Sequence, residues 1–200
     1  MISVSVATAL VCGGASADTG DAKAGEKKAV SCTACHGPAG NSVVPMWPKL
    51  AGQQPEYIVK QLMDFKSGAR VNPQMSPQAA PLTKQDMLNL AAYFSSQKQS
   101  GGTADPKAVA LGSAIFRGGN TATGVPACTG CHSPTGMGLG LAKFPRLAGQ
   151  HAQYVEQTLK YFRDGQRAND PNGMMRGVAA NLTDTEITAV AQYLQGLTSQ

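Results

Sequence analysis

The chain has 200 residues, 42% hydrophobic and 14% charged, with 17 Lys/Arg against 12 Asp/Glu and a formal net charge of +5. This is the composition of a soluble globular protein of one or two domains. The charge is spread evenly, and with no basic cluster or stripe a nucleic-acid footprint is excluded.

Residues 1–17, MISVSVATALVCGGASA, carry no charge. They read as an apolar segment ending in Ala15-Ser16-Ala17, an A-x-A cleavage site, and so as a signal peptide too short to span a membrane. A lipoprotein cysteine at Cys12 is disfavoured by the bulky Val11 before it. Cleavage after Ala17 removes Cys12 and leaves four cysteines, in two pairs, in an exported protein.

From residue 18 one set of features runs twice. A first helix over about residues 21–33 leads into SCTACHGPAGN, Ser31–Asn41. PKLAGQ follows at Pro48–Gln53, then a helix over Pro55–Ser67 with Tyr57, Ile58, Leu62 and Phe65 on one face. The loop NPQMSPQ carries Met75. A last helix follows, with Thr83 and Asp86 spaced as a capping box and Leu88, Ala91 and Ala92 as its apolar face. SSQKQSGGTADP, Ser95–Pro106, is polar linker chemistry ending at a new helix with Pro106 in its first turn.

The order then recurs: a helix over about residues 106–117, ACTGCHSPTG at Ala127–Gly136, and PRLAGQ at Pro145–Gln150. A helix over Ala152–Asp164 carries Tyr154, Val155, Leu159 and Phe162, and NGMMRG carries Met175. The final helix has Thr183 and Glu186 as its capping box and Ile187, Val190, Ala191 and Leu194 as its apolar face. Equivalent residues lie 96, 97 and finally 100 positions apart. That period is too long for a solenoid, and no stretch alternates like a strand. The expectation is an all-α protein of two homologous domains, residues 18–97 and 106–200, joined by a linker at 98–105. With aromatic residues at only 6%, two such small cores would gain from a large apolar cofactor in each.

Both copies contain C-x-x-C-H: Cys32, Cys35 and His36, then Cys128, Cys131 and His132. This is the attachment signature of c-type haem: two sulfurs form thioethers with the porphyrin vinyl groups, and the adjacent histidine can ligate the iron. A thioredoxin-like dithiol would need a βαβ context, and a zinc site would need both pairs to converge across 92 residues. Two disulfides would leave the repeated histidine unexplained. Two covalently bound haem c groups are therefore expected.

The second axial ligand is chosen by register. The third histidine, His151, falls opposite Gln54 and reads as a surface residue near a helix start. Met75 lies seven residues before Leu82, and Met175 seven before Leu182. Met174 is the competitor, disfavoured by the repeat register. Met46 and helical Met87 have no methionine partner in the other half, Met63 falls in a helix opposite Lys160, and Met137 follows its histidine too closely. Pro38 and Pro134, each two residues after a motif histidine, are candidates to accept its Nδ1–H.

With these features in place the chain resembles the cytochrome c4 family, through CTACHGPAGNS, PKLAGQ, AAYFSSQK, FRGG, PACTGCHSP and MRGVAA. The resemblance spans residues 18–200 and implies two tandem class I cytochrome c domains related by a pseudo-two-fold axis, with haem propionates near their interface. It implies Cys32, Cys35, His36 and Met75 at haem 1, and Cys128, Cys131, His132 and Met175 at haem 2. It also implies a periplasmic electron carrier, loosely associated with the membrane, whose redox partners are an upstream donor and a terminal cytochrome c oxidase. A cytochrome subunit of a periplasmic dehydrogenase would use the same ligands. A dihaem peroxidase would need one accessible iron, and the two matched methionines argue against it.

Overall fold

The structure, a computed structural model, describes residues 19–198. The signal-peptide reading of residues 1–17 lies outside them.

Asp21 accepts the amide N–H groups of Lys23 (2.8 Å) and Ala24 (3.2 Å) and starts α1 (Ala22–Lys28). The helix expected to continue to residue 33 is broken. At Ala29 the chain tightens into a 3-10 turn, Ala29–Cys32, and then makes one α turn, α2 (Thr33–His36). Apolar spacing cannot distinguish these forms over so few residues. Ala29 stays in the core, Cys35 is exposed and His36 is buried. α3 (Pro55–Ser67), α4 (Met75–Ala79) and α5 (Lys84–Ser96) complete the first half.

The second half has α6 (Pro106–Gly118), α7 (Thr129–His132), α8 (Ala152–Arg163), α9 (Met174–Ala179) and α10 (Asp184–Gly196). Asp105 caps α6 by accepting the Lys107 N–H (3.0 Å), with Pro106 as its first residue. Among the described residues there is no strand, only isolated antiparallel bridges at Asn120–Val125 and Leu139–Phe144.

Each half builds its core on its last helix. α1 and α3 pack on α5, and α6 and α8 pack on α10. On α10 the expected face is buried: Ile187, Val190, Ala191 and Leu194. On α5 the expected Ala91 is buried, but with Met87, Leu90 and Phe94 in place of Leu88 and Ala92. Leu88 and Ala92 lie only half-buried under the chain at Gly20, as it enters α1.

Both capping boxes form. Thr83 Oγ1 accepts the Asp86 N–H (3.1 Å) and Asp86 returns the bond to the Thr83 N–H (2.9 Å). Thr183 and Glu186 repeat this at 3.2 and 2.9 Å, and Asn120 Nδ2 also donates to Glu186 (2.7 Å). The Thr183 N–H first, and Asn120 second, hold the Glu186 carboxyl below its ordinary pKa. A lowered folded pKa stabilises fully above the ordinary carboxylate range and loses that effect as pH falls through the folded value. Glu186→Gln is expected to lower Tm by about 2–5 °C near neutrality, with the difference shrinking toward about pH 3. Paired thermal melts of the two proteins across that range check it.

The segment between α5 and α6 is tied down. Lys49 Nζ donates to the carbonyls of Ser100 (2.7 Å) and Gly101 (3.1 Å), and Asn41 bonds Lys98 and Ser100. Gln195 Nε2 reaches the Thr103 carbonyl from the other half (2.6 Å).

Candidate haem sites

Each motif histidine is held by one ring nitrogen. His36 Nδ1–H donates to the Pro48 carbonyl (2.8 Å) and His132 Nδ1–H to the Pro145 carbonyl (2.9 Å). The acceptors are therefore the prolines that open PKLAGQ and PRLAGQ, not Pro38 and Pro134. In the tight turn after His36 the Pro38 carbonyl is taken by the Asn41 N–H (3.0 Å); after His132 it is Ser133 that accepts Gly136 (3.1 Å). Burial lowers the pKa of both histidines against the opposing effect of the proline carbonyls. Each ring is thus a neutral imidazole with its proton on Nδ1 and a lone pair on Nε2, the form a metal needs.

No disulfide joins the four motif cysteines; Cys35 and Cys131 are exposed, Cys32 and Cys128 half-buried. Burial raises the pKa of the Cys32 thiol and pushes that of Cys128 up to about 11. A reactive dithiol needs the opposite shift. One helical turn separates the members of each pair, which brings both sulfurs to one face.

Met75 opens α4 and Met175 is the second residue of α9; both are half-buried, whereas Met174 is 41% exposed. The two short helices share a register of 100: Ala79 and Ala179 are both fully buried, and each accepts the N–H of Leu82 or Leu182 at 3.1 Å. Met46 and Met63 are about half exposed, Met87 lies in the core and Met137 is half-buried in a loop. His151 is not a free surface residue. It is half-buried, and its Nε2–H donates to the Ser42 carbonyl of the other half (2.9 Å).

That bond belongs to a reciprocal interface. Gln150 pairs with both backbone groups of Lys49 (2.9 Å each), and Gln53 pairs with both backbone groups of Arg146 (2.7 and 3.0 Å). Gln53 and Gln150 close the two PKLAGQ-type segments, so each segment opens on the residue holding a motif histidine and ends on a clamp across the interface. Sequence reasoning used these segments as repeat markers and missed both tasks, although their recurrence was the available signal.

A second cross-interface cluster lies between α3 and α8. Arg167 Nη2 donates to Tyr57 (3.1 Å), and Arg70 Nη2 to Tyr154 (3.5 Å). The carbonyl of buried Gln61 accepts from Arg70 (2.7 Å), Arg167 (2.9 Å) and Asn169 (3.1 Å). Each guanidinium also covers a phenylalanine of its own half, Arg70 on Phe65 and Arg167 on Phe162. Among the described residues neither is ion-paired with a carboxylate, although Arg167 is 6% exposed. Burial raises the Tyr154 pKa, but Arg70 and Arg167 outweigh it and bring the phenol down to about 8. A buried cation, Arg167, beside a half-buried one, Arg70, calls for acidic groups, and haem propionates are such groups. The whole donor set fits two tethered haems: per half, two thiols on one turn, an imidazole with Nε2 free, a thioether and a guanidinium.

The cytochrome c family model matches residues 22–98 and again 109–198. A cytochrome c4 of Thiocapsa roseopersicina is 62% identical over 185 residues, covering 92% of this chain and 96% of that protein. A thiosulfate dehydrogenase electron acceptor of Thiomonas intermedia is 42% identical, covering 84% of this chain and 78% of that protein. The crystal structure of reduced recombinant cytochrome c4 from Pseudomonas stutzeri superposes with a TM-score of 0.87 at 49% identity, covering 90% of this chain and all of that one.

Proposed function

The chain belongs to the cytochrome c4 family of dihaem electron carriers, and from that premise we propose that it works in the periplasm, relaying electrons from a respiratory donor to a terminal cytochrome c oxidase. Its cofactors are two covalently bound haem c groups, which supply reversible one-electron iron couples.

In this reading Cys32 and Cys35 tether haem 1 and Cys128 and Cys131 haem 2. His36 with Met75 would hold the iron of haem 1, and His132 with Met175 that of haem 2. The Pro48 and Pro145 carbonyls fix the imidazole orientation and keep the proton off Nε2. The methionine thioethers raise the potential and deny the iron to other molecules. Arg70 and Arg167 would hold the acidic groups of the haems at the interface between the halves. The apolar stretch of residues 1–17 supports export, and among the described residues no helix is long and apolar enough to cross a membrane. Any membrane association in this reading is peripheral.

The observation that carries the reading is the duplicated pair: a histidine committed through Nδ1 and a methionine at one register, in each half. The oxidised protein should carry two equivalents of the methionine–iron charge-transfer band. Met75→Ala and Met175→Ala should each remove one equivalent and open that iron to carbon monoxide when reduced. A variant that keeps both equivalents refutes the assignment of that methionine.

The relative named as a thiosulfate dehydrogenase electron acceptor favours one second reading, a cytochrome subunit serving a periplasmic dehydrogenase. Isolation in tight association with a dehydrogenase, rather than as a free carrier, would select it. The peroxidase alternative predicts turnover of hydrogen peroxide by the wild-type protein, which two methionine-capped irons should not support.

A further inference from the structure

The two methionine loops are built differently. From Arg70 to Met75 is five residues, whereas from Arg167 to Met175 is eight. In the short loop Asn72 Oδ1 accepts the N–H groups of Gln74 and Met75 (2.9 Å each), and the Ser76 hydroxyl receives the Asn72 N–H (3.1 Å). The first residue of α4 is thus held directly by neutral groups.

The longer loop has no such cap. The residue preceding α9 is Gly173, without a side chain, and Asn172 and Gly173 both have positive φ, 54° and 68°. Asp170 takes over from further upstream. Its carboxylate accepts the Arg176 N–H (3.0 Å) in the first turn of α9 and the Arg176 Nε–H (2.9 Å). The Asp170 side chain is only 3% exposed. A charge so buried is costly unless its partners are well placed, and both donors belong to Arg176, the residue next to Met175 in α9. Just before it, Asn169 is fastened to the interface through Arg167, Gln61 and Lys60. Asp170 therefore joins a fixed point at the interface to the first turn of α9.

That turn presents two adjacent methionines, about 100° apart around the helix axis. Resting on the reading of Met175 as the haem 2 ligand, we infer that Asp170, clamped by Arg176, is the positioning residue that selects Met175 over Met174. Haem 1 needs no equivalent, since its loop offers a single methionine. Charge-assisted hydrogen bonds of this kind shift an equilibrium by roughly tenfold to a hundredfold.

The test uses the reduced holoprotein, in which each axial methionine has its own strongly shifted methyl resonance. In Asp170→Asn a second haem 2 methionine resonance is expected, from a population at least about tenfold larger than in the wild type. Adding Met174→Leu should abolish it, and the Met75 resonance should not move. Arg176→Gln keeps one of the two bonds and should give the same new resonance at lower intensity. It decides the matter if Asp170→Asn does not fold. A single, unmoved haem 2 resonance in both variants overturns the proposal. The ligand reading is checked separately in the otherwise unaltered protein. Met175→Leu should remove the haem 2 resonance and Met174→Leu should not; the reverse overturns the assignment of Met175, and the proposal with it.

Discussion

Replacing Gly112 with valine is expected to unfold the second half of the protein at growth temperature. A Cβ built on Gly112 would lie 2.1 Å from the Ala189 carbonyl oxygen and 2.7 Å from Tyr193 Cβ. The first of these is helix backbone and cannot move aside, so α6 must lift off α10. Lifting it strips contacts from Phe116, which is fully buried, and from Ile115. Overpacking against backbone at a helix crossing costs about 3–5 kcal/mol, a large part of the stability of a small domain. Gly25 repeats the contact in the first half, where a Cβ would lie 2.0 Å from the Asn89 carbonyl oxygen. Gly25→Val should therefore cost a similar amount there. The thioethers keep both haems attached, so the readout is loss of the methionine–iron band of the affected half, together with its melting temperature. A Gly112→Val protein with both bands and a wild-type melt would mean that the helices part more easily than the close backbone approach implies.

The repeat, the helices on either side of it and the cysteine motifs were legible in the sequence because each is local or duplicated. α3 begins at Pro55 and α6 at Pro106 because proline suits a first turn, and the two capping boxes are three-residue signals. Residues whose partners depend on the returning chain were not legible. His36 finds Pro48, twelve positions on, because the loop closes back over the motif. Pro38 was the nearer candidate, but its carbonyl is spent on the turn. Gln61 is a polar residue inside the apolar stripe of α3, one turn after Tyr57 and one turn before Phe65, and spacing alone does not show what would satisfy it. It is buried because the other half lands on it with Arg167 and Asn169, more than a hundred residues away. The face of α5 was misplaced because Leu88 and Ala92 are as apolar as Leu90, and only the arrival of α1 decides which is covered.

Removing both glutamine clamps together, Gln53→Leu with Gln150→Leu, is expected to undock the two halves and leave each haem site spectrally intact. Gln53 and Gln150 are 7% and 4% exposed, and each satisfies one N–H and one C=O of the residue opposite. Leucine leaves those backbone groups buried without partners, at about 1–3 kcal/mol each. One clamp lost should be tolerated, since Arg167–Tyr57 and His151–Ser42 still cross the interface. Loss of both is worth about 4 kcal/mol or more, roughly a thousandfold in the docking equilibrium. The short linker keeps the halves at an effective concentration in the millimolar range, so the result is an opening equilibrium and not dissociation. Electron transfer between the haems should slow in proportion to the open fraction, and rotational correlation times should fall toward those of independent domains. Wild-type tumbling and transfer in the double variant would shift the docking energy to the Arg70, Arg167 and Gln61 cluster. In that case Gln61→Leu, which removes an acceptor shared by both guanidiniums, should be the substitution that opens the protein.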